Sequence, residues 1–395
     1  MNQTMSRVVD LRGRLVALQP QTLAMTESMV NIDSGSHNAQ GVNAVTDILD
    51  EPLRAMGFST TRHPVPGFGD CFEAVAELGS GPNIVIVGHA DTVWPDGTVA
   101  GFPYVRDGDW LSGAGVGDMK AALAMTVATL QALTQHGGNG NDVGIGTVRF
   151  VVTSEEQLGS AATRPLLEKF AADSDVCLTL EAVQDGGGMV VERGAVGAVV
   201  LTASGRTAHC TEPGGASAVS ELIPLLGRIE ALSDADRGLL VSIGLIQGGT
   251  ARQVVPDHAE VHIDVRGTTN EVAEGAVAAI DAMVGESRVD PGVTLTRTGG
   301  VTRPAFKATQ SKVLYDVAER AASDLGLPSR RVSERGGSDA CFFGARGVRT
   351  LDGLGPYCVG ACSRRERVFV PSIAKRGAVL GSLLLAAADV TRGEA

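Results

Sequence analysis

The run Asn83-Ile84-Val85-Ile86-Val87 is apolar without alternation, so it reads as a strand buried on both faces. Such a strand belongs inside a sheet that is covered on either side. It runs directly into Gly88-His89-Ala90-Asp91-Thr92-Val93-Trp94-Pro95. A histidine at the carboxyl end of a strand, with a carboxylate two residues on, has a physical use. The imidazole can bind a metal while the neighbouring acid fixes its orientation. One such pair proves little, and the case rests on further strand ends that carry acids.

Around this strand the first half of the chain alternates helical and extended patterns. Leu11–Val30 and Gln40–Met56 are helical in period, as are Met119–Gln135 and Ala161–Phe170, while Thr147–Thr153 and Val176–Leu180 read as strands. The alternation predicts an α/β fold, a central mixed sheet flanked by helices. The segment His136–Asp142, rich in Gly and Asn, reads as a surface loop. From about Val191 the texture changes. Val196–Ser204, Leu239–Ile246 and Ala259–Arg266 read as strands, with helices over Ala216–Leu232 and Glu271–Val284. That β-α-β-β-α-β order predicts an inserted ferredoxin-like α+β domain over residues 191–300, splitting a catalytic domain made of 1–190 and 301–395. In Ala259–Arg266 the pleat puts Val261, Ile263 and Val265 on one face and His262, Asp264 and Arg266 on the other. Gly347–Leu351 reads as a late strand of the larger domain.

The formal net charge of −12, from 33 basic and 45 acidic residues, excludes nucleic acid and anionic membrane as partners, since both need a basic surface. The longest apolar stretches, Ala121–Leu133 and Ala378–Val390, fall short of the roughly 18 residues of a membrane span. The amino-terminal segment has no apolar core of a signal peptide, and six cysteines in 395 residues read as reduced thiols. A cytoplasmic enzyme is the expectation.

The acids now fall into place. His89 and Asp91 follow one strand, Asp118 sits in Gly117-Asp118-Met119-Lys120 just before a helix, Glu155 and Glu156 follow Val148–Thr153, and Glu181 follows Val176–Leu180. In open α/β sheets, sites form in the crevice outside the carboxyl ends of the strands. Gathering so many carboxylates there without compensating charge is very unfavourable, and a divalent cation resolves it. Mixed His and carboxylate ligands suit zinc, with cobalt or manganese as alternatives. Of the adjacent pair, one glutamate can bind metal while the other remains a general base. Alone, the pair would read as the cap of a following helix, with Ser154 at the N-cap.

These segments, with Gly205-Arg206-Thr207-Ala208-His209, Gly248-Gly249-Thr250-Ala251-Arg252 and Gly336-Gly337-Ser338-Asp339, occur in the order seen in a known superfamily. The chain resembles the zinc-dependent aminoacylase and carboxypeptidase superfamily, most closely its glutamate carboxypeptidase branch, over nearly its whole length. The resemblance implies two zinc ions per chain bridged by Asp118, with His89 and Glu181 on one ion and Glu156 on the other. It implies that Glu155 activates the bridging water, that Asp91 orients His89, and that His209 of the inserted domain stabilises the oxyanion, in a homodimer built through that domain. Arg266 and Arg303 match positions that grip a substrate carboxylate, with Arg252 a lesser candidate and Gln253, Gly337 and Ser338 lining the substrate. At Gln253 the family commonly has Asn, so specificity is expected to differ from a simple glutamate carboxypeptidase.

The chain departs from the family at its last metal ligand. After Leu351-Asp352-Gly353-Leu354-Gly355 the usual histidine position holds Cys362, and no histidine follows His262. Three readings stay open: Cys362 binds zinc as a thiolate, the second metal is weak or missing, or Cys362 is a nucleophile or pairs with Cys358. The function expected is hydrolysis of an amide or peptide bond next to a free carboxylate, in a small peptide or N-acyl amino acid. The alternatives are an N-acyl amino acid deacylase, a repurposed biosynthetic enzyme, or a non-catalytic binding homologue.

Overall fold

The computed structural model describes residues 3–134, 144–287 and 289–392. The predicted loop His136–Asp142 lies outside them. The chain divides into two compact units, one of Met1–Glu192, Lys307–Ser333 and Ser338–Ala395, the other of Arg193–Phe306 with Glu334–Gly337.

The larger unit is built on a six-stranded mixed sheet. Its order is Ser59–His63, Cys71–Glu77, Thr147–Thr153, Asn83–His89, Val176–Thr179 and Arg349–Leu351. The strand Asn83–His89 is buried from Ile84 onward, as its unbroken apolar run requires. It lies parallel to Thr147–Thr153 on one side and to Val176–Thr179 on the other. The register pairs His89 with Thr153 and Val87 with Thr179. The chain therefore leaves all three strands at nearly one level, and the segments carrying His89, Glu155 with Glu156, and Glu181 emerge side by side. Cys71–Glu77 runs antiparallel to both its neighbours, Ser59–His63 and Thr147–Thr153, which makes the sheet mixed.

The helix Ala121–Thr134 is buried on nearly every side. An apolar surface all round a helix leaves it no solvent face, and it is packed by Gln3–Val30 and Val370–Leu385. A second small sheet, not legible in the sequence, joins Cys358–Val359, Arg367–Phe369, Trp110–Ser112 and Val105–Asp107. His63, whose setting reads as a polar loop, instead ends a strand and meets Glu73 at 2.7 Å.

The smaller unit is an antiparallel sheet in the order Leu239–Gly248, His258–Gly267, Ala195–Ser204 and Thr294–Arg303. Helices Ala218–Glu230 and Asn270–Glu286 share its core with Val261, Ile263 and Val265. Ser217 and Thr269 cap the two helices by accepting the Ser220 and Val272 N–H groups. The β-α-β-β-α-β order is the expected one. This unit reaches to Phe306 and takes back Glu334–Gly337, so Arg303 and Gly337 belong to it rather than to a catalytic segment 301–395.

Candidate metal centre

His89 is 1% exposed, and its ring is held at both nitrogens. Nδ1 lies 2.9 Å from the Asp91 carbonyl oxygen, and Nε2 lies 2.9 Å from Asp118 Oδ1. The Asp91 carboxylate is the more distant partner of the ring, at 3.4 Å. Its oxygens are committed elsewhere. They accept the Glu156 N–H at 3.1 Å, the Gln157 N–H at 3.1 Å and the Ser36 hydroxyl at 2.6 Å. Asp91 thus orients His89 chiefly through its backbone, while its carboxylate pins the turn that carries Glu156.

Asp118 stands in a turn entered through Gly115, which takes a left-handed φ of 72°. The Asp118–Met119 peptide is cis. Its two oxygens face different partners. Oδ1 meets His89, and Oδ2 accepts from Gln157 Nε2 at 2.9 Å and Cys362 Sγ at 3.1 Å. Burial by itself would raise the Asp118 pKa, but the His89, Cys362 and Gln157 bonds hold it down at about 2. Burial likewise opposes charge on His89, yet its bond to Asp118 drives the imidazole well above its ordinary value.

The ligand atoms of His89, Glu156 and Glu181 all lie within 4.8 Å of one another. Burial pushes the Glu181 carboxyl well up, and the charges of Asp118 and Glu156 push it further. That mutual repulsion is what a divalent cation would relieve, and carboxylates with one imidazole form a donor set that zinc accepts. The residues present fit a metal. Glu155 is 1% exposed, and its Oε1 accepts the Thr163 N–H at 2.7 Å. Burial raises its pKa and the Thr163 bond moderates the rise. The turn after Ser154 is a single short one, Glu156–Leu158, and the following helix starts only at Arg164. The pair therefore does not serve as that helix's cap.

Cys362 is exposed, with φ +57°, and sits in the hairpin between Cys358–Val359 and Arg367–Phe369. Burial and the neighbouring Asp118 carboxylate raise its thiol pKa. Cys358 and Cys362 are both free thiols, so the disulfide reading has no counterpart in the structure.

Glu366 also stands at this centre. Glu366 lies in the charged run Ser363-Arg364-Arg365-Glu366-Arg367, which reads as a solvated face, yet it is 0% exposed. Its Oε1 accepts the Gly117 N–H at 2.7 Å and the Asp118 N–H at 3.1 Å. The one available signal was an acid among basic residues four positions after Cys362.

A family model described as "Peptidase family M20/M25/M40" matches residues 85–386. The chain belongs to peptidase family M20/M25/M40. Carboxypeptidase G2 of Pseudomonas sp. (strain RS-16) is 27% identical over 91% of this chain and 87% of its own. A succinyl-diaminopimelate desuccinylase of Dechloromonas aromatica is 28% identical over 86% of this chain and 92% of its own. A tripeptidase structure from Staphylococcus aureus superposes with a TM-score of 0.75 at 22% identity, covering 94% of this chain and 98% of that one. The protein is thus an M20 hydrolase of the peptidase and amidohydrolase kind with the fold of that family. Among the described residues, no helix is long and apolar enough to cross a membrane.

The M20 chain carries its remaining candidate residues on the smaller unit, Ser338 excepted. His209 and Gln253 meet in a two-stranded ribbon, where His209 pairs with Val254 and the Cys210 N–H bonds to the Gln253 carbonyl at 2.9 Å. The His209 ring is exposed, with Nδ1 2.7 Å from the Thr211 hydroxyl. Arg252 is exposed beside Gln253. Arg266 departs from expectation. Its fork is engaged by Asp264, two residues back on the same strand face, at 2.7 and 2.8 Å. Arg303 passes against Gly337, where a Cβ would stand 2.4 Å from its Cδ. A larger residue there would push the Arg303 side chain aside. Ser338, expected to face substrate, is fully buried and donates its hydroxyl to Asp352 Oδ2 at 2.7 Å, so its side chain supports the loop instead.

Proposed function

We propose that this M20 protein hydrolyses an amide or peptide bond next to a free carboxylate, as a glutamate carboxypeptidase does. Glu155 carries the reading. It is a buried carboxylate next in sequence to Glu156 of the ligand cluster, anchored by the Thr163 N–H, with its pKa raised by burial. His89, Asp118, Glu156, Glu181 and Cys362 would hold two zinc ions, Asp118 offering one oxygen toward His89 and the other toward Cys362. Bound zinc supplies Lewis acidity toward the scissile carbonyl and toward water.

Glu155 takes the proton of the attacking water and passes it to the leaving nitrogen. His209 donates to the developing oxyanion from the smaller unit. Arg303 holds the substrate carboxylate, with Gly337 keeping its path open and Gln253 contacting the substrate. Arg266 has a supporting part only, since its fork is already held bidentately by Asp264. A second reading, deacylation of an N-acyl amino acid, is supported by similarity to the desuccinylase.

The test is hydrolysis of an N-acyl-glutamate and of a dipeptide ending in glutamate, each beside its α-carboxamide analogue, with and without prior removal of metal. Turnover confined to the free acids and to metal-loaded protein is expected, with the preferred substrate separating the two readings. In Arg303→Ala, KM should rise about tenfold or more for the free acid, the loss of a charge-assisted bond, while kcat changes less. Equal turnover of acid and carboxamide would overturn the proposal.

The active form is proposed to be a homodimer. Strand Leu239–Gly248 is a sheet edge, and Leu240, Leu245 and Ile246 lie exposed on it, with Ile223 exposed on helix Ala218–Glu230. An apolar edge of this kind is a template for pairing with a second copy. Ile246→Asp should shift sedimentation from dimer to monomer. A parent protein that sediments as a monomer at micromolar concentration rules the dimer out.

A further inference from the structure

Hairpin Cys358–Phe369 reaches Asp118 twice. From its tip, Cys362 Sγ meets the side chain at Oδ2. From its returning arm, Glu366 Oε1 takes two backbone N–H groups of the turn, those of Gly117 and Asp118. The approach is close, since a Cβ on Gly117 would stand 2.1 Å from Cys358 Sγ. Gly117 and Asp118 lie in the short irregular turn Val116–Lys120, where Asp118 has non-helical φ and ψ, and buried donors of this kind need an acceptor. Glu366 is the acceptor. Its charge also acts on Lys120, which is 1% exposed, stands just before the buried helix Ala121–Thr134 and donates Nζ to the Ile32 carbonyl at 2.8 Å.

We propose that Glu366 is the positioning residue for Asp118: it fixes the Gly117–Asp118 turn so that one carboxylate oxygen faces His89 and the other faces Cys362. Without this acceptor the two N–H groups must turn to find another, and the Asp118 side chain turns with them. Glu366 is not a member of the His89, Glu156 and Glu181 cluster, and the effect proposed for it on the centre runs through the Gly117–Asp118 turn. The inference rests on the metal-centre reading above. The physical precedent is general, because partners that orient a metal-binding side chain typically set affinity by about 10–100-fold.

The experiment is zinc affinity by competition with a chromophoric chelator, on full-length parent, Glu366→Gln, Glu366→Leu and Glu366→Asp, with circular dichroism and Tm as folding controls. Gln keeps the accepting oxygen and should bind zinc like the parent. Leu removes it and Asp withdraws it by one methylene, so both should bind about 10–100-fold more weakly. If Leu does not fold, Asp and Gln still decide the matter. Parent-like affinity in folded Leu or Asp overturns the proposal, as does a loss in Gln equal to that in Asp. A parent that binds no zinc overturns the metal-centre reading itself, a result separate from any difference among the variants.

Discussion

Glu155→Gln should lower kcat by about 10²–10⁴-fold, the usual contribution of a positioned general base, while zinc content stays that of the parent. The substitution is nearly isosteric. Glu155 Oε1 accepts the Thr163 N–H, and a glutamine carbonyl can do the same, so the 155–163 turn should keep its shape. What disappears is a basic oxygen on the residue next to Glu156, a member of the cluster with His89 and Glu181. KM should move little, because the group acts on the proton in transit rather than on bound substrate. The measurement is steady-state kinetics together with elemental analysis of the same preparation. Undiminished kcat would remove Glu155 from the mechanism, and a parallel loss of zinc would recast it as a ligand.

Cys362→Ser should weaken zinc binding at least about tenfold and lower stoichiometry from two ions toward one. The Cys362 sulfur already stands 3.1 Å from Asp118 Oδ2, the oxygen turned away from His89, and zinc accepts thiolate at about 2.3 Å. The raised thiol pKa is the state without metal, and coordination by a cation deprotonates a thiol outright. Cobalt replacement gives a readout independent of activity. A sulfur-to-cobalt charge-transfer band should appear in the parent and vanish in Cys362→Ser. Cys362→His should bind metal without the band. Its kcat should exceed the parent's, since a neutral imidazole in place of thiolate leaves more positive charge on the metal pair. An identical cobalt spectrum and zinc content in parent and Cys362→Ser would end the ligand assignment.

The strand ends were legible because burial on both faces leaves an unbroken apolar run, and the residues after such runs are few. His89, Glu155, Glu156 and Glu181 could be placed at one sheet edge on that ground, and the register agrees. Glu366 was not legible. Its neighbours Arg364, Arg365 and Arg367 are all exposed, so local composition says surface while the hairpin turns this one side chain inward. Arg266 shows the converse. Its place on the strand face with Asp264 could be read from the pleat, but not that the two would pair and so engage its fork.

The sequence by itself determined the two-unit plan of the chain: the buried central strand, the inserted β-α-β-β-α-β unit, and the acids at successive strand ends. Those features are periodic or adjacent, so they depend on contacts near in sequence. Tertiary structure alone decided which atoms meet. It put the Asp91 backbone rather than its carboxylate nearest the His89 ring, carried Gly337 to Arg303, and folded Glu366 under a turn almost 250 residues earlier. Such pairings rest on close packing between distant segments, where a missing Cβ or a single N–H sets the outcome and leaves no local pattern to read.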